Sequence, residues 1–168
     1  NTNLFGGVWK NWVGRLGGTL NGSFQQGKVD GRAQLLYRHQ SQPLSEILKT
    51  VNKDSNNVMA RQIMLSVGAR QVGTPATPHK GAEAIGRWLE SRGLNFPELR
   101  IENGAGLSRI ERISSRHLGE LLVDAFNSPY RDALIESMAA LGMDGTVRNR
   151  VTGSAARGYG RFKTGSLR

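Results

Sequence analysis

The chain has 168 residues, no Cys, and 23 Lys+Arg against 13 Asp+Glu, a formal charge of +10. That length suits one domain with a real core, and 38% hydrophobic with only 21% charged residues excludes a disordered polyelectrolyte. The absence of Cys excludes a disulfide framework, a zinc ribbon and a thiol nucleophile.

No apolar run reaches the ~18 residues of a membrane span. Asn1-Thr2-Asn3-Leu4 carries neither an initiator Met nor a signal-peptide hydrophobic region, which predicts a processed or cut chain. The 22 glycines are about twice the average usage of ~7% and predict tight turns and short strands rather than a helical bundle.

In chain order, Trp9, Trp12, Val13 and Leu16 fall at i, i+3, i+4, i+7 and predict a short amphipathic helix. Thr19–Phe24, Lys28–Val29 and Gln34–His39, broken by Asn21-Gly22 and Gly27, predict short strands joined by tight turns. The character changes at Ser41. Pro43 in a first helical turn, then Leu44, Ile47, Leu48 and Val51, make the cleanest amphipathic pattern, ending near Lys53-Asp54.

A second helix of this region starts around Asn56, carries Met59, Ile63 and Val67, and closes at Gly68. Thr77-Pro78 announces a third, through Ala82, Ile85 and Leu89 to Gly93. Ser114 or Ser115 caps a fourth with Leu118, Leu121, Leu122 and Ala125, stopped at Asn127-Ser128-Pro129. A fifth runs from Arg131 to Leu141, and Gly158–Gly165 predicts a terminal strand. The expected order is strands, five helices, strands.

His39, His79 and His117 lie far apart with no metal-ligand spacing, so no metal and no cofactor are expected. Two triplets stand out: Ser55-Asn56-Asn57 between the first two helices after Ser41, and Lys163-Thr164-Gly165 in the terminal strand. Each alone reads as ordinary structure, a helix cap at Ser55 and a strand end at Lys163. Together, in this order, they belong to the signature of active-site serine acyl-transfer enzymes.

From about Ser41 to Leu167 the chain resembles the serine-type D-alanyl-D-alanine carboxypeptidases/endopeptidases of the class C low-molecular-mass penicillin-binding proteins, the DacB-like, peptidase S13 type. The matching blocks are Pro43–Leu48 with Asn52–Asn57, Asn103–Arg109, Asp144-Gly145-Thr146 and Arg161–Leu167. The resemblance implies an α+β, β-lactamase/transpeptidase-like fold, an antiparallel sheet flanked by a helical cluster. It implies a partial catalytic domain over residues 41–168. Residues 1–40 would be the end of an inserted β-rich domain and its return strand.

It further implies a role for each matched residue. Ser55 would relay a proton toward the leaving amine and the Asn57 amide would orient the acyl substrate. Lys163 would raise the local potential beside a nucleophile that needs a base. Thr164, Gly165 and Ser166 would bind substrate, the hydroxyls on its carboxylate and the strand edge on its backbone. The expected partners are peptidoglycan peptide stems, β-lactams and the remainder of the parent chain, at a periplasmic address.

The family's Ser-x-x-Lys block, which supplies nucleophile and base, is absent. The residues three before Lys10, Lys28, Lys49, Lys53, Lys80 and Lys163 are Gly7, Gln25, Glu46, Thr50, Thr77 and Gly160. Thr50 and Thr77 have a hydroxyl at the right spacing, but one overlaps the Ser-x-Asn block and the other reads as a helix start. The chain is therefore expected to be an inactive segment of a longer enzyme, unstable alone because its strands would lack neighbours. One alternative is a catalytically inactive homologue that binds peptidoglycan. A basic nucleic-acid-binding domain is the other, disfavoured because Arg and Lys are dispersed and no recognition motif is present.

Overall fold

The computed structural model describes residues 2–165. Two compact units divide at residues 40 and 41. In the first, α1 (Thr2–Arg15) begins seven residues before the Trp9–Leu16 stripe that predicted it, and Leu16 lies just past its end. Phe5 and Trp9 meet edge to face, and the Phe24 ring lies against buried Gly6, where a Cβ would come within 2.7 Å of Cγ.

The strands predicted over Thr19–Phe24, Lys28–Val29 and Gln34–His39 do not form among the described residues. Instead Asp30 accepts from the Arg32 amide and guanidinium in a local turn, and Leu36 is 96% exposed. Alternation marks residues suited to a strand, but a strand exists only where a neighbour's backbone completes its ladder. No neighbour for these segments occurs among the described residues.

The second unit is mostly helical: α2 (Leu44–Lys53), α3 (Asn57–Gln71), α4 (Pro78–Ser91), α5 (Ser115–Phe126) and α6 (Arg131–Ser137). The caps follow from short polar side chains that accept the orphan amides of the first turn. Asn56 accepts from Met59 N, Thr77 from Lys80 N and Ser114 from His117 N. Helix α3 continues three residues past Gly68, its expected end. That glycine serves close approach instead: a Cβ there would lie 2.6 Å from the backbone N of Gly81 on α4. Val51, Met64, Ala84, Leu89, Phe96, Ala139 and Val147 form the buried apolar core.

The last helix stops at Ser137 rather than Leu141, because Ala139-Ala140 turns extended and becomes β1 (Ala139–Ala140). It pairs antiparallel with β2 (Arg161–Phe162), in register Ala139↔Phe162 and Ala140↔Arg161. These two two-residue strands are the whole sheet among the described residues, so the second unit is helical with a small antiparallel ribbon. A 3-10 turn, Gly145–Val147, lies in the loop between the strands.

Candidate active site

Three chain segments meet beside the ribbon. The first is the tight link between α2 and α3. Asn56 takes the capping role that the sequence allotted to Ser55, and its own amide donates to Val51 O at 3.0 Å. Ser55 adopts φ +55°, left-handed backbone uncommon for a residue with a Cβ. Relieved of the cap, its hydroxyl accepts a 2.9 Å hydrogen bond from Lys163 Nζ, 108 residues away.

The second segment carries Lys163-Thr164-Gly165, immediately after β2. Lys163 Nζ also donates to its neighbour's carbonyl, Thr164 O, at 2.7 Å. The Thr164 hydroxyl donates to Thr146 Oγ1 at 2.8 Å, tying this stretch to the 3-10 turn. Lys163 and Gly165 are exposed and Thr164 is half-buried, so the ammonium and its neighbouring hydroxyls face solvent.

The third segment, Asp144-Gly145-Thr146, packs against the end of α2. Asp144 Oδ2 accepts from Lys53 Nζ at 2.5 Å and Oδ1 from Ala140 N at 2.7 Å. The Lys53 ammonium on its side chain is the main cause holding the Asp144 carboxyl below the usual carboxylate range, with Ala140 N and the field of Arg161 adding to it against the opposing effect of burial. Gly145 sits at φ +54°, and a Cβ there would lie 2.7 Å from Lys53 O. One residue before Lys53, the Asn52 amide donates to the fully buried Ser137 Oγ at 2.8 Å.

Of the residues singled out in the sequence, Ser55, Lys163 and Thr164 come together. Gly165 follows them in sequence beyond β2, because the strand predicted over Gly158–Gly165 forms only at Arg161–Phe162. Asn57 opens α3 half-buried, and its carboxamide has no hydrogen-bond partner among the described residues. Ser166 lies outside the described residues. The two threonines spaced three before a lysine are spoken for differently: Lys53 is paired with Asp144, and Thr77 caps α4 while Lys80 Nζ donates to Gly73 O and Pro75 O.

Sequence reasoning gave no role to Lys53, Asp144, Asn52 or Ser137. Asp144 stood inside a matched block, but nothing local in the sequence pointed to its partner Lys53, 91 residues away. Among the described residues no group of three His, Asp or Glu could hold a metal ion.

The family profile of the D-Ala-D-Ala carboxypeptidase 3 (S13) family matches residues 2–168. The chain belongs to this family. It is similar to D-alanyl-D-alanine carboxypeptidase DacB of Haemophilus influenzae, 28% identical over 136 residues, which are 81% of this chain and 28% of that protein. It is likewise similar to the D-alanyl-D-alanine carboxypeptidase of Actinomadura sp., 31% identical over 140 residues, 80% of this chain and 26% of that one.

In three dimensions the S13 chain superposes on penicillin-binding protein 4 (dacB) from Haemophilus influenzae, a crystal structure complexed with a β-lactam, with a TM-score of 0.84 and 26% identity. The match covers 96% of this chain and 38% of that one. The chain thus spans little more than a quarter of the length of these curated relatives.

Proposed function

We propose that this chain is part of a serine acyl-enzyme that hydrolyses D-alanyl-D-alanine peptides or D-Ala cross-links in peptidoglycan and is inhibited by β-lactams. The nucleophile and its lysine base come from a Ser-x-x-Lys block outside these 168 residues. In this reading residues 41–168 are part of an α+β transpeptidase-like catalytic domain and residues 1–40 the return from an inserted domain. The substrate lies outside the cytoplasmic membrane, so the enzyme works in the periplasm.

The observation that carries the reading is the 2.9 Å bond from Lys163 Nζ to Ser55 Oγ in a chain of the S13 family. A serine hydroxyl held by an ammonium has its lone pair occupied and its proton aimed elsewhere, so it can pass a proton to a leaving amine while the cation steadies the charge left behind. The Asn57 amide, free of partners among the described residues, has both donors and its acceptor open to an acyl substrate. The Lys163 ammonium, with the Thr164 hydroxyl of the next residue and its partner Thr146, would bind a terminal carboxylate.

A fluorescent-penicillin gel tests this on the full-length protein. Lys163→Ala and Asn57→Ala should each lower acylation about 100-fold, the usual scale for losing a transition-state partner. Arg131→Ala, whose guanidinium lies over the Phe126 ring at 5.3 Å and pairs with the neighbouring Asp132 at 3.0 Å, should change it less than about twofold. The 168-residue segment alone should take no label. Equal effects at Lys163 and Arg131 would refute the site, and a full-length protein that never labels would refute the acyl-enzyme reading.

A further inference from the structure

We propose that Asp144 is a positioning residue that sets the separation of Ser55 and Lys163, one carboxylate oxygen holding the Ser55 loop through Lys53 and the other holding, through Ala140, the ribbon that leads into Lys163. The inference rests on the reading of Ser55 and Lys163 as the working pair.

The argument is one of connectivity. Ser55 and Lys163 are 108 residues apart and meet through a single hydrogen bond between exposed groups. One hydrogen bond between solvent-exposed groups does not by itself fix the backbones that carry them, whereas the Lys53–Asp144 contact is part-buried and its carboxylate is also held by a backbone amide. The backbones that carry the two groups must be fixed by something else. Lys53 lies two residues before Ser55, and its Nζ sits 2.5 Å from Asp144 Oδ2. Ala140 pairs with Arg161, two residues before Lys163, and its amide donates to Asp144 Oδ1 at 2.7 Å. A single carboxylate therefore links the Lys53 ammonium, two residues before Ser55, to the amide of Ala140, whose strand partner Arg161 is two residues before Lys163.

The surroundings keep that side chain in place. Gly145 follows Asp144 in left-handed backbone, and any Cβ would strike Lys53 O, so the turn presses directly on the end of α2. Arg161 adds a second positive field at the carboxylate. Lys53 and Asp144 side chains are 28% and 37% exposed. An ion pair this wet adds little stability, so its removal should show in geometry-sensitive chemistry more than in melting. Asparagine at 144 has one acceptor for two donors: with its oxygen on Ala140 N it turns an N–H toward the Lys53 ammonium, and with its oxygen on Lys53 it turns an N–H toward the Ala140 amide.

The test uses the full-length protein and fluorescent penicillin, with the acylation rate constant at saturation measured apart from the dissociation constant, and the melting midpoint alongside. Asp144→Asn and Lys53→Met should each slow acylation about tenfold, the scale of a small misplacement of reacting groups. Penicillin dissociation should change less than about twofold and the midpoint by only a few degrees, since little uniform binding and little stability are removed. The double variant should be no slower than the slower single one, and Lys53→Arg should recover most of the rate.

The proposal is overturned if Asp144→Asn acylates at the wild-type rate while Lys163→Ala does not. Losses that multiply in the double variant would overturn it too, as would rate losses fully matched by loss of folded protein. If Lys163→Ala itself acylates normally, the reading of the site fails first, and the inference falls with it.

Discussion

The α3–α4 pair joins consecutive helices, whereas the corner around Ser55 joins segments as much as 108 residues apart, and the two are held by opposite means. Helices α3 and α4 meet backbone to backbone: Gly68 faces Gly81 N, Gly81 faces Met64, and Met64, Ala84 and Leu89 are buried around them. The corner includes the buried Ala139, Val147 and Ser137, but the contacts around Ser55 are polar and more exposed, with Lys53 on Asp144, Lys163 on Ser55 and Thr164 on Thr146. Close packing tolerates no change of volume, whereas hydrogen bonds among half-exposed groups add little stability and much direction. The helix pair therefore carries stability, and the corner, in the proposed function, carries geometry.

The largest effect that can break this contrast is on the helix pair. Gly81→Leu places a side chain where even a Cβ would lie 2.7 Å from Met64 Cγ and 2.9 Å from Met64 O. Overpacking against backbone should cost about 3 kcal/mol, seen as a large fall of the melting midpoint in the full-length protein. Acylation per folded molecule should stay close to wild type. If acylation per folded molecule falls as far as at Lys163→Ala, the two regions are one mechanical unit and the contrast is lost.

A smaller effect sharpens it at the helix ends. Thr77→Ala removes the hydroxyl that accepts from Lys80 N and should destabilise by about 1 kcal/mol. Asn56→Ala removes an equivalent bond to Met59 N, but in the residue between Ser55 and Asn57. Its stability loss should be similar, and it alone should also slow acylation. Equal acylation in the two variants would show that the α3 cap has no part in shaping the Ser55 loop.

These regions were not equally legible in the sequence. Helices α2 to α6 were, because burial imposes a 3.6-residue period and caps need particular side chains, as Thr77-Pro78 and Ser114 show. The segments over Thr19–Phe24 and Gln34–His39 were misread as strands, since local alternation says nothing about whether a partner strand lies alongside. Gly68 was taken for a helix end, because a sequence does not distinguish a glycine that stops a helix from one that admits a neighbouring backbone. Ser55 and Lys163 could be paired only through the conjunction of two motifs. Asp144 was quoted without a role, because its meaning depends on Lys53, 91 residues away.

The smallest effect concerns a polar device placed in the helical half, which tests whether direction rather than stability is always what such contacts supply. Glu98 accepts from Ser114 N at 2.8 Å and from His117 Nδ1 at 2.8 Å, at the start of α5, where the His117 ring stacks on Phe96 at 4.7 Å. Ser114's amide and hydroxyl, then His117, hold the Glu98 carboxyl down to about 2. A lowered carboxyl pKa means that the unfolded chain binds the proton more readily than the folded one. The contribution is thus complete above the ordinary glutamate value of about 4.3 and is lost as pH falls from there toward 2.

Glu98→Gln keeps an acceptor for Ser114 N and removes the titration. Melting midpoints of the full-length protein and this variant, measured from pH 7 down to about 2.5, should differ modestly at neutral pH and converge through that window. Parallel curves would mean that the Glu98 contacts do not stabilise α5. Convergence, with acylation at pH 7 unchanged in the variant, would show a polar cluster acting on stability alone, so that what sets the Ser55 corner apart is its position between two reacting groups rather than its polarity.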